Sequence, residues 1–410
     1  MTAATDGESL VRGYSGRMFL LIAAGVFAAN LGRQALPPLL PAIIDELAIT
    51  TVAAGFAITL MRLCFAALQY PSGRLSDTAS RKLGIVGGLT IMALGFLLLA
   101  RVDAYPLLLA STALLGIGSA LFFVAERVLL SDLFVEKRGM AFGSNSAISR
   151  LGSIAAAGLA VGVLAVGTWQ LAFLPVVVLI GVIALAFHYV GREGYEFTAI
   201  GVSGGATTIR ATVTRVFGSG RVRWLVVAYT LIIFAWEGVL AFLPAYLQAT
   251  KGFSPGFAGG GFALLFAIGV VVQPVSGRVS DRMDRRLVAG AATICSLVGL
   301  AWLILAGSLI AIIAAILIYA AGLMAFTPVL QAYLMDIFPE ESKGGDLGAF
   351  KTVYEGLSSL GPTYVGVMVG LASYDVAFAG FLACLGVSAA VLFGLAIADR
   401  RSGKLNKSAT

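Results

Sequence analysis

The sequence predicts an all-α integral membrane protein with twelve transmembrane helices in two pseudo-symmetric bundles of six. Composition, the number of apolar segments and an internal repeat support this prediction. Of the 410 residues, 59% are hydrophobic and 12% are charged, whereas about 25% are charged in soluble domains. The mean hydropathy is +0.96. These values exclude a soluble globular enzyme.

The chain contains twelve apolar segments that are long enough to cross a bilayer, which takes about 20 residues each. They lie at 18–44, 51–73, 83–100, 105–130, 140–165, 169–190, 223–248, 257–276, 287–306, 309–334, 346–371 and 375–398. They lack the alternating pattern of barrel strands, and backbone groups in lipid must be satisfied within each segment. The segments are therefore predicted to be helices.

One long polar connection, 191–222, separates an N-terminal bundle, 1–190, from a C-terminal bundle, 223–410. Connections on one predicted side of the membrane hold 21 Lys and Arg residues, and the other side holds only Arg101 and Lys251. Basic loops stay in the cytoplasm, so both termini and the central loop are predicted to be cytoplasmic in a plasma membrane protein. This also explains the net charge of +7 without a nucleic-acid partner.

An internal repeat runs through the chain at a constant offset of 204 residues. The sequence Gly73-Arg-Leu-Ser-Asp77 recurs as Gly277-Arg-Val-Ser-Asp281. The same offset relates four further pairs of positions: Arg81 and Arg285, Lys82 and Arg286, Asp132 and Asp336, and Arg33 and Glu237. An even number of spans separates the copies, so the two halves have the same orientation in the membrane.

At these residues the sequence resembles the major facilitator superfamily (MFS) of secondary transporters. The family signature after the second helix is roughly Gly-x-x-x-Asp-Arg/Lys-x-Gly-Arg-Arg/Lys. Both copies keep the Gly, the Asp and the paired basic residues, whereas Thr78, Ser80 and Asp284 depart from the pattern. The resemblance covers the whole chain and implies transport by alternating access between two six-helix bundles.

The resemblance also implies a gating role for the repeated motif, as a latch across the two halves that stabilises the outward-facing state. The residues concerned are Gly73, Asp77, Arg81, Lys82, Gly277, Asp281, Arg285 and Arg286. From the residues alone, simple anchoring of short cytoplasmic loops remains an alternative for the four basic residues. Asp77 and Asp281 oppose the positive-inside trend, which favours the gating interpretation.

Apart from charged residues at the first position of a span, eight charged residues fall inside predicted spans, and five of them are basic. They are Arg33, Arg62, Glu126, Arg127, Arg150, Glu237, Lys351 and Glu355. Each costs a few kcal/mol in the bilayer unless it is paired or hydrated, so such residues often mark a transport pathway. Fixed ion pairs between helices are the alternative. Lys351 and Glu355 are four residues apart and are expected to form such a structural pair, and Glu126 and Arg127 lie nearest a span boundary.

The predicted substrate and coupling residues are Arg33, Arg62, Arg150, Glu237, Asn30, Gln331 and Trp236. At 1.5 Å per residue, Arg33 and Glu237 lie about 24 and 21 Å along equivalent helices. Glu237 is the expected proton-coupling group, and a permanent Arg33–Glu237 ion pair is the alternative. Proline residues 37, 38, 41 and 244 are expected to interrupt these two helices beyond the charges.

The sequence therefore predicts a transporter, not an enzyme, that moves a small organic solute with protons as the coupling ion. A surplus of buried arginine favours an anionic or carboxylate-bearing solute. A drug or metabolite efflux antiporter of the same fold is the alternative, and a transporter-like sensor or an intramembrane enzyme is disfavoured. No cofactor or metal is expected, and the protein is predicted to be a monomer in the lipid bilayer.

The topology can be tested by labelling single cysteines in a cysteine-free variant with a membrane-impermeant reagent. We expect cysteines at positions 104 and 251 to be labelled on intact cells and those at 205 and 405 only after lysis. Labelling of position 205 from outside would contradict the predicted orientation.

Overall fold

The computed structural model describes residues 9–78, 80–192, 194–195, 214, 217–338 and 343–407. The side chains of residues 74, 76–78, 343–345 and 399–407 lie outside this description. The side chain of Asp77 and most of the predicted central loop, 191–222, are therefore not described.

The described residues of the N-terminal part form seven α-helices that correspond to the first six predicted spans. They are α1 (Gly13–Arg33), α2 (Leu36–Leu47), α3 (Thr51–Thr78), α4 (Arg81–Leu99), α5 (Tyr105–Leu133), α6 (Arg138–Val166) and α7 (Phe173–Val190). A short 3-10 turn, Trp169–Ala172, precedes α7.

The described residues of the C-terminal part also form seven helices. They are α8 (Gly220–Ala249), α9 (Pro255–Ser280), α10 (Arg285–Leu305), α11 (Leu309–Ile337), α12 (Lys343–Ser358), α13 (Gly361–Leu371) and α14 (Tyr374–Lys407). Within the described residues, 11 helical segments are long and apolar enough to cross a membrane, with α1 and α2 counted together. The predicted all-α membrane fold is confirmed.

The first predicted span is interrupted between α1 and α2, as its prolines predict. Pro37 and Pro38 have no N–H groups, so the carbonyls of Arg33 and Gln34 cannot receive helical bonds from them. The helix ends at Arg33 and resumes at Leu36. The interruption leaves Arg33 at the carboxyl end of α1.

Three expectations about helix continuity are wrong. Pro41 does not interrupt α2, which continues past it to Leu47. The segment 346–371 is not one helix, because α12 ends at Ser358 and α13 begins at Gly361. Pro362 has no N–H group to donate to the carbonyl of Ser358, so helical hydrogen bonding is interrupted there. Pro244, in contrast, does not interrupt α8, which continues to Ala249. A single proline removes one helical hydrogen bond, and Pro244 is buried among neighbouring side chains, where such a loss is tolerated.

Contacts divide the chain into two compact units. The first unit comprises Met1–Ile49 and Ala57–Gly201, and the second comprises Thr50–Phe56 and Val202–Thr410. The helix bounds follow the sequence repeat closely. Helices α4 and α10 begin at Arg81 and Arg285, and α5 and α11 begin at Tyr105 and Leu309, so the offset of 204 residues holds in the structure.

In the first unit, α1 and α6 approach closely at Gly152. A Cβ atom built on Gly152 would lie 2.6 Å from the backbone oxygen of Phe27 and 3.3 Å from the Cβ of Asn30. Glycine removes this obstacle, as small residues do at many membrane helix contacts. The close approach brings the polar residues of α6 next to those of α1.

Replacing Gly152 with alanine should therefore destabilise the first unit, by about 1–3 kcal/mol for an overpacked contact. Gly158→Ala is the matched control, because it lies on the same helix and its Cβ would meet no atom within 4 Å. The measurement is the melting temperature of each purified variant in detergent. Equal melting temperatures for the two variants would contradict the packing argument.

Candidate transport site

Both copies of the repeated motif form the same ion pair within their own unit. The guanidinium of Arg81 on α4 lies 2.8 Å from the carboxylate of Asp132 on α5. The equivalent residues of the second unit, Arg285 and Asp336, form the same pair. In each unit the motif therefore ties the start of one helix to the end of the next.

The second basic residue of each motif binds the last helix of its unit. Lys82 donates from Nζ to the carbonyl of Gly191 at 2.9 Å, and Arg286 donates from Nη1 to the carbonyl of Leu395 at 3.2 Å. Positions 191 and 395 are again 204 residues apart. These basic residues therefore hold helices together inside each unit. Residues that only anchored a short loop at the membrane surface would not need such contacts.

The carboxylate of Asp281 and the two motif glycines are less constrained. Asp281 lies 3.9 Å from Arg285 and is exposed, whereas the side chain of Asp77 is not described. A Cβ atom on Gly73 or Gly277 would meet nothing within 4 Å. The gating role that the resemblance implies for this motif stays a prediction.

The interior of the first unit holds an arginine between two aromatic rings. Arg33, at the end of α1, is 7% exposed. Its guanidinium carbon lies 5.3 Å from the ring centroid of Phe65 on α3 and 5.5 Å from that of Phe123 on α5. Both distances are within the range of cation–π attraction.

Hydrogen bonds continue this polar region from α1 to α6. The amide of Asn30 donates to the carbonyl of Val26 at 2.8 Å and to the hydroxyl of Ser149 at 3.1 Å. Asn30 precedes Arg33 by three residues, so both lie on one side of α1. The predicted residues Asn30 and Arg33 thus share a site with α3, α5 and α6.

Glu126 forms a second part of this region, although its position near a span boundary made it one of the weakest candidates in the sequence. It is 2% exposed, and its carboxylate accepts a hydrogen bond of 3.1 Å from the amide of Asn145 on α6. Its other carboxylate oxygen lies 3.8 Å from Arg127, which is largely exposed. The available signal was the polar stripe Asn145, Ser149 and Ser153, spaced by four residues within a predicted apolar span.

The other predicted arginines lie on the same helices. Arg62 on α3 precedes Phe65 by three residues, and Arg150 on α6 follows Ser149 directly. Both side chains are half-buried. The first unit therefore carries the three predicted arginines on three different helices, α1, α3 and α6.

The second unit differs in its interior. Trp236 is half-buried and makes an edge-to-face contact with Phe266 at 6.1 Å, and Glu237 beside it is also half-buried. Gln331 on α11 is exposed. Lys351 and Glu355 form the predicted ion pair at 3.4 Å, which confirms that they are partners.

Aromatic side chains of α11 and α12 pack around Tyr229 in the second unit. The ring of Tyr229 on α8 lies 5.1 Å from Phe350, 5.1 Å from Tyr354 and 5.4 Å from Phe326.

Among the described residues, no group of three or more His, Cys, Asp or Glu side chains is placed to hold a metal ion. The three cysteines are free thiols.

Membrane-length helices in two repeated units, with charged side chains inside them, define a membrane transport protein. The sequence model of the Major Facilitator Superfamily matches residues 22–362 and 262–410. The chain belongs to the Major Facilitator Superfamily, whose members are transporters and not enzymes.

Two relatives share part of the sequence. The probable sulfoacetate transporter SauU of Cupriavidus necator is 25% identical over 285 residues, which are 63% of this chain and 63% of the relative. The uncharacterized MFS-type transporter YfiU of Bacillus subtilis is 27% identical over 172 residues, 41% of this chain and 33% of that protein. The matched segments thus span less than two thirds of either relative.

Solved structures have the same fold at low sequence identity. A bacterial homologue of the human lysosomal transporter Spinster, inward-facing and unoccupied, has a TM-score of 0.78 and 16% identity, with 93% of this chain and 97% of that chain covered. The nucleoside transporter NupG has a TM-score of 0.78 and 12% identity, with 92% and 99% covered. These likenesses identify the fold.

The pairing of Glu126 with Asn145 can be tested by a double-mutant cycle. Asn145→Ala removes a hydrogen bond to a buried carboxylate, which should cost about 1.5–3 kcal/mol. The same change in a Glu126→Gln background should cost less, because the group left behind carries no charge. Melting of the four purified proteins measures the difference, and purely additive effects would show that the two side chains act independently.

Proposed function

We propose that the protein transports a small organic anion by alternating access, coupled to protons, as a monomer in the plasma membrane. The observation that carries this proposal is Arg33, a buried cation inside a membrane-length segment, flanked by two aromatic rings and by Asn30. We expect Arg62 and Arg150 to contribute further positive charge to the substrate path. Trp236 and Gln331 are the proposed contributions of the second unit.

The balance of charge inside the spans supports an anionic substrate. Apart from charged residues at the first position of a span, five basic and three acidic residues lie within the predicted spans. Arginine remains charged in proteins and binds a carboxylate or a sulfonate through two parallel hydrogen bonds. A bound anion would offset part of the cost of keeping three arginines in the first unit.

One relative points to the same substrate class. SauU is named a probable sulfoacetate transporter, and sulfoacetate is a small organic anion with a carboxylate and a sulfonate. Because the match covers only part of both chains, it supports the class of substrate more than the individual compound. Sulfoacetate is accordingly one probe among several.

We propose Glu237 as the proton-coupling residue. A coupling carboxylate must exchange protons with water, and Glu237 is half-buried, whereas Glu126 is enclosed and bound to Asn145. Removal of water from the site would favour the neutral carboxyl form, and the approach of a cation would favour the carboxylate. Glu126 provides a matched carboxylate for comparison in the same protein.

The substrate class is tested by uptake into proteoliposomes, with and without an inward proton gradient. The probes are radiolabelled sulfoacetate, succinate and benzoate, beside the neutral succinamide and benzamide. We expect gradient-stimulated uptake of at least one anion and loss of that uptake in Arg33→Gln. Preferential uptake of the neutral compounds would overturn the proposed anion transport.

The coupling role is tested by exchange in the same vesicles. Glu237→Gln should abolish proton-driven accumulation but preserve exchange of labelled for unlabelled anion, because substrate binding remains. Glu126→Gln should leave proton-driven accumulation in place. Full gradient-driven uptake in the double variant Arg33→Gln with Glu237→Gln would show that the two residues form a structural pair, and the coupling assignment would be wrong.

A further inference from the structure

The contact of Arg33 with Phe65 and Phe123 has a defined geometry. The two rings meet edge to face, with centroids 6.4 Å apart and planes inclined by 82°. The guanidinium carbon is within 5.5 Å of both centroids. The rings come from α3 and α5, so a cation at the end of α1 is held from two different helices.

The internal repeat shows that the fold itself does not require these rings. The positions equivalent to Phe65 and Phe123 in the second unit are Gly269 and Thr327, 204 residues later. Helices α9 and α11, which carry them, keep the bounds of α3 and α5 to within a few residues. The position equivalent to Arg33 is Glu237, so the rings occur in the unit that has the cation.

Aromatic rings stabilise a buried guanidinium in a way that suits anion binding. Their negative π faces attract the cation, and the attraction is stronger where water is excluded. A phenyl ring has no hydrogen-bond acceptor of the kind that a carboxylate or an amide supplies. The rings can therefore fix the position of Arg33 without occupying its N–H donors, which are the groups that recognise a planar carboxylate or a sulfonate.

We propose that Phe65 and Phe123 are positioning residues for the substrate anion and that they set the selectivity of the protein for carboxylates and sulfonates over neutral analogues. They hold the guanidinium of Arg33 in one orientation before the substrate arrives, so that less freedom is lost on binding. This inference rests on the proposed anion transport.

Phe65→Leu and Phe123→Leu keep an apolar side chain of similar size but remove the π face. We expect each variant to weaken binding of the transported anion by about three- to tenfold, with a larger loss in the double variant. Phe65→Tyr and Phe123→Tyr retain the ring and should bind nearly as the unchanged protein does. The measurement is equilibrium binding of succinate, benzoate and sulfoacetate to the purified full-length protein, with succinamide and benzamide as competitors.

Phe19→Leu is the matched control for lost aromatic packing. Phe19 forms an edge-to-face pair with Phe134 in the same unit, at 5.9 Å and 84°, and no cation lies over either ring among the described residues. We expect the Phe19→Leu variant to bind the anions with unchanged affinity. Melting temperatures without ligand show whether each variant is folded, and a misfolded leucine variant is replaced in the comparison by Phe→Met at the same position.

The outcomes separate this inference from the function on which it rests. If Arg33→Gln abolishes anion binding but folded leucine variants bind as the unchanged protein does, the positioning role is wrong and the anion site stands. If leucine variants lose affinity for anions and neutral analogues equally, or tyrosine fails to restore it, the role in selectivity is also wrong. If Arg33→Gln leaves anion binding intact, or the unchanged protein binds none of the anions, the proposed function fails first.

Discussion

The cost of placing charge inside an apolar fold governs the arrangement of this protein. A charged side chain within a membrane-spanning helix is expensive unless other groups surround it. Three charged groups in this structure are stabilised in three different ways. Arg33 lies against the faces of two rings, the carboxylate of Glu126 accepts from a buried amide, and Lys351 pairs with Glu355 one helical turn away. Of these three charged groups, Arg33 is the one held by aromatic rings, and it is the group that we propose meets the substrate anion.

Comparison of the two units distinguishes contacts that both units keep from interior residues that differ between them. The ion pairs of Arg81 and Arg285 recur in both units, as do the bonds from Lys82 and Arg286 to backbone carbonyls. Those contacts belong to the shared framework. The interior positions do not recur, because Arg62, Glu126 and Arg150 correspond to Phe266, Leu330 and Tyr354. The contacts shared by both units therefore belong to the fold, whereas these charged interior residues belong to the first unit alone.

Much of this architecture could be predicted from the sequence, because long apolar segments, basic loops and a repeat of 204 residues are properties of the chain itself. The pair Lys351–Glu355 was predictable for the same reason, since a spacing of four residues places side chains together on a helix. The contacts of Phe65, Phe123 and Asn145 were not, because they join helices far apart in sequence. Nearness to a span boundary also made Glu126 look peripheral, although packing against α6 encloses it.

The helix interruptions also differ between the two units. Pro37 and Pro38 end α1 at Arg33, whereas Ala241 and Phe242 occupy the equivalent positions and α8 continues. Pro362 separates α12 from α13, whereas its counterpart Gly158 lies within an unbroken α6. Each unit therefore breaks a different helix, within three residues of a charged side chain, Arg33 or Glu355. A helix that ends at Arg33 also places the negative end of its dipole beside the cation. Proline placement thus adds to the effect of the two rings, since it stabilises the charge that we propose the substrate must meet.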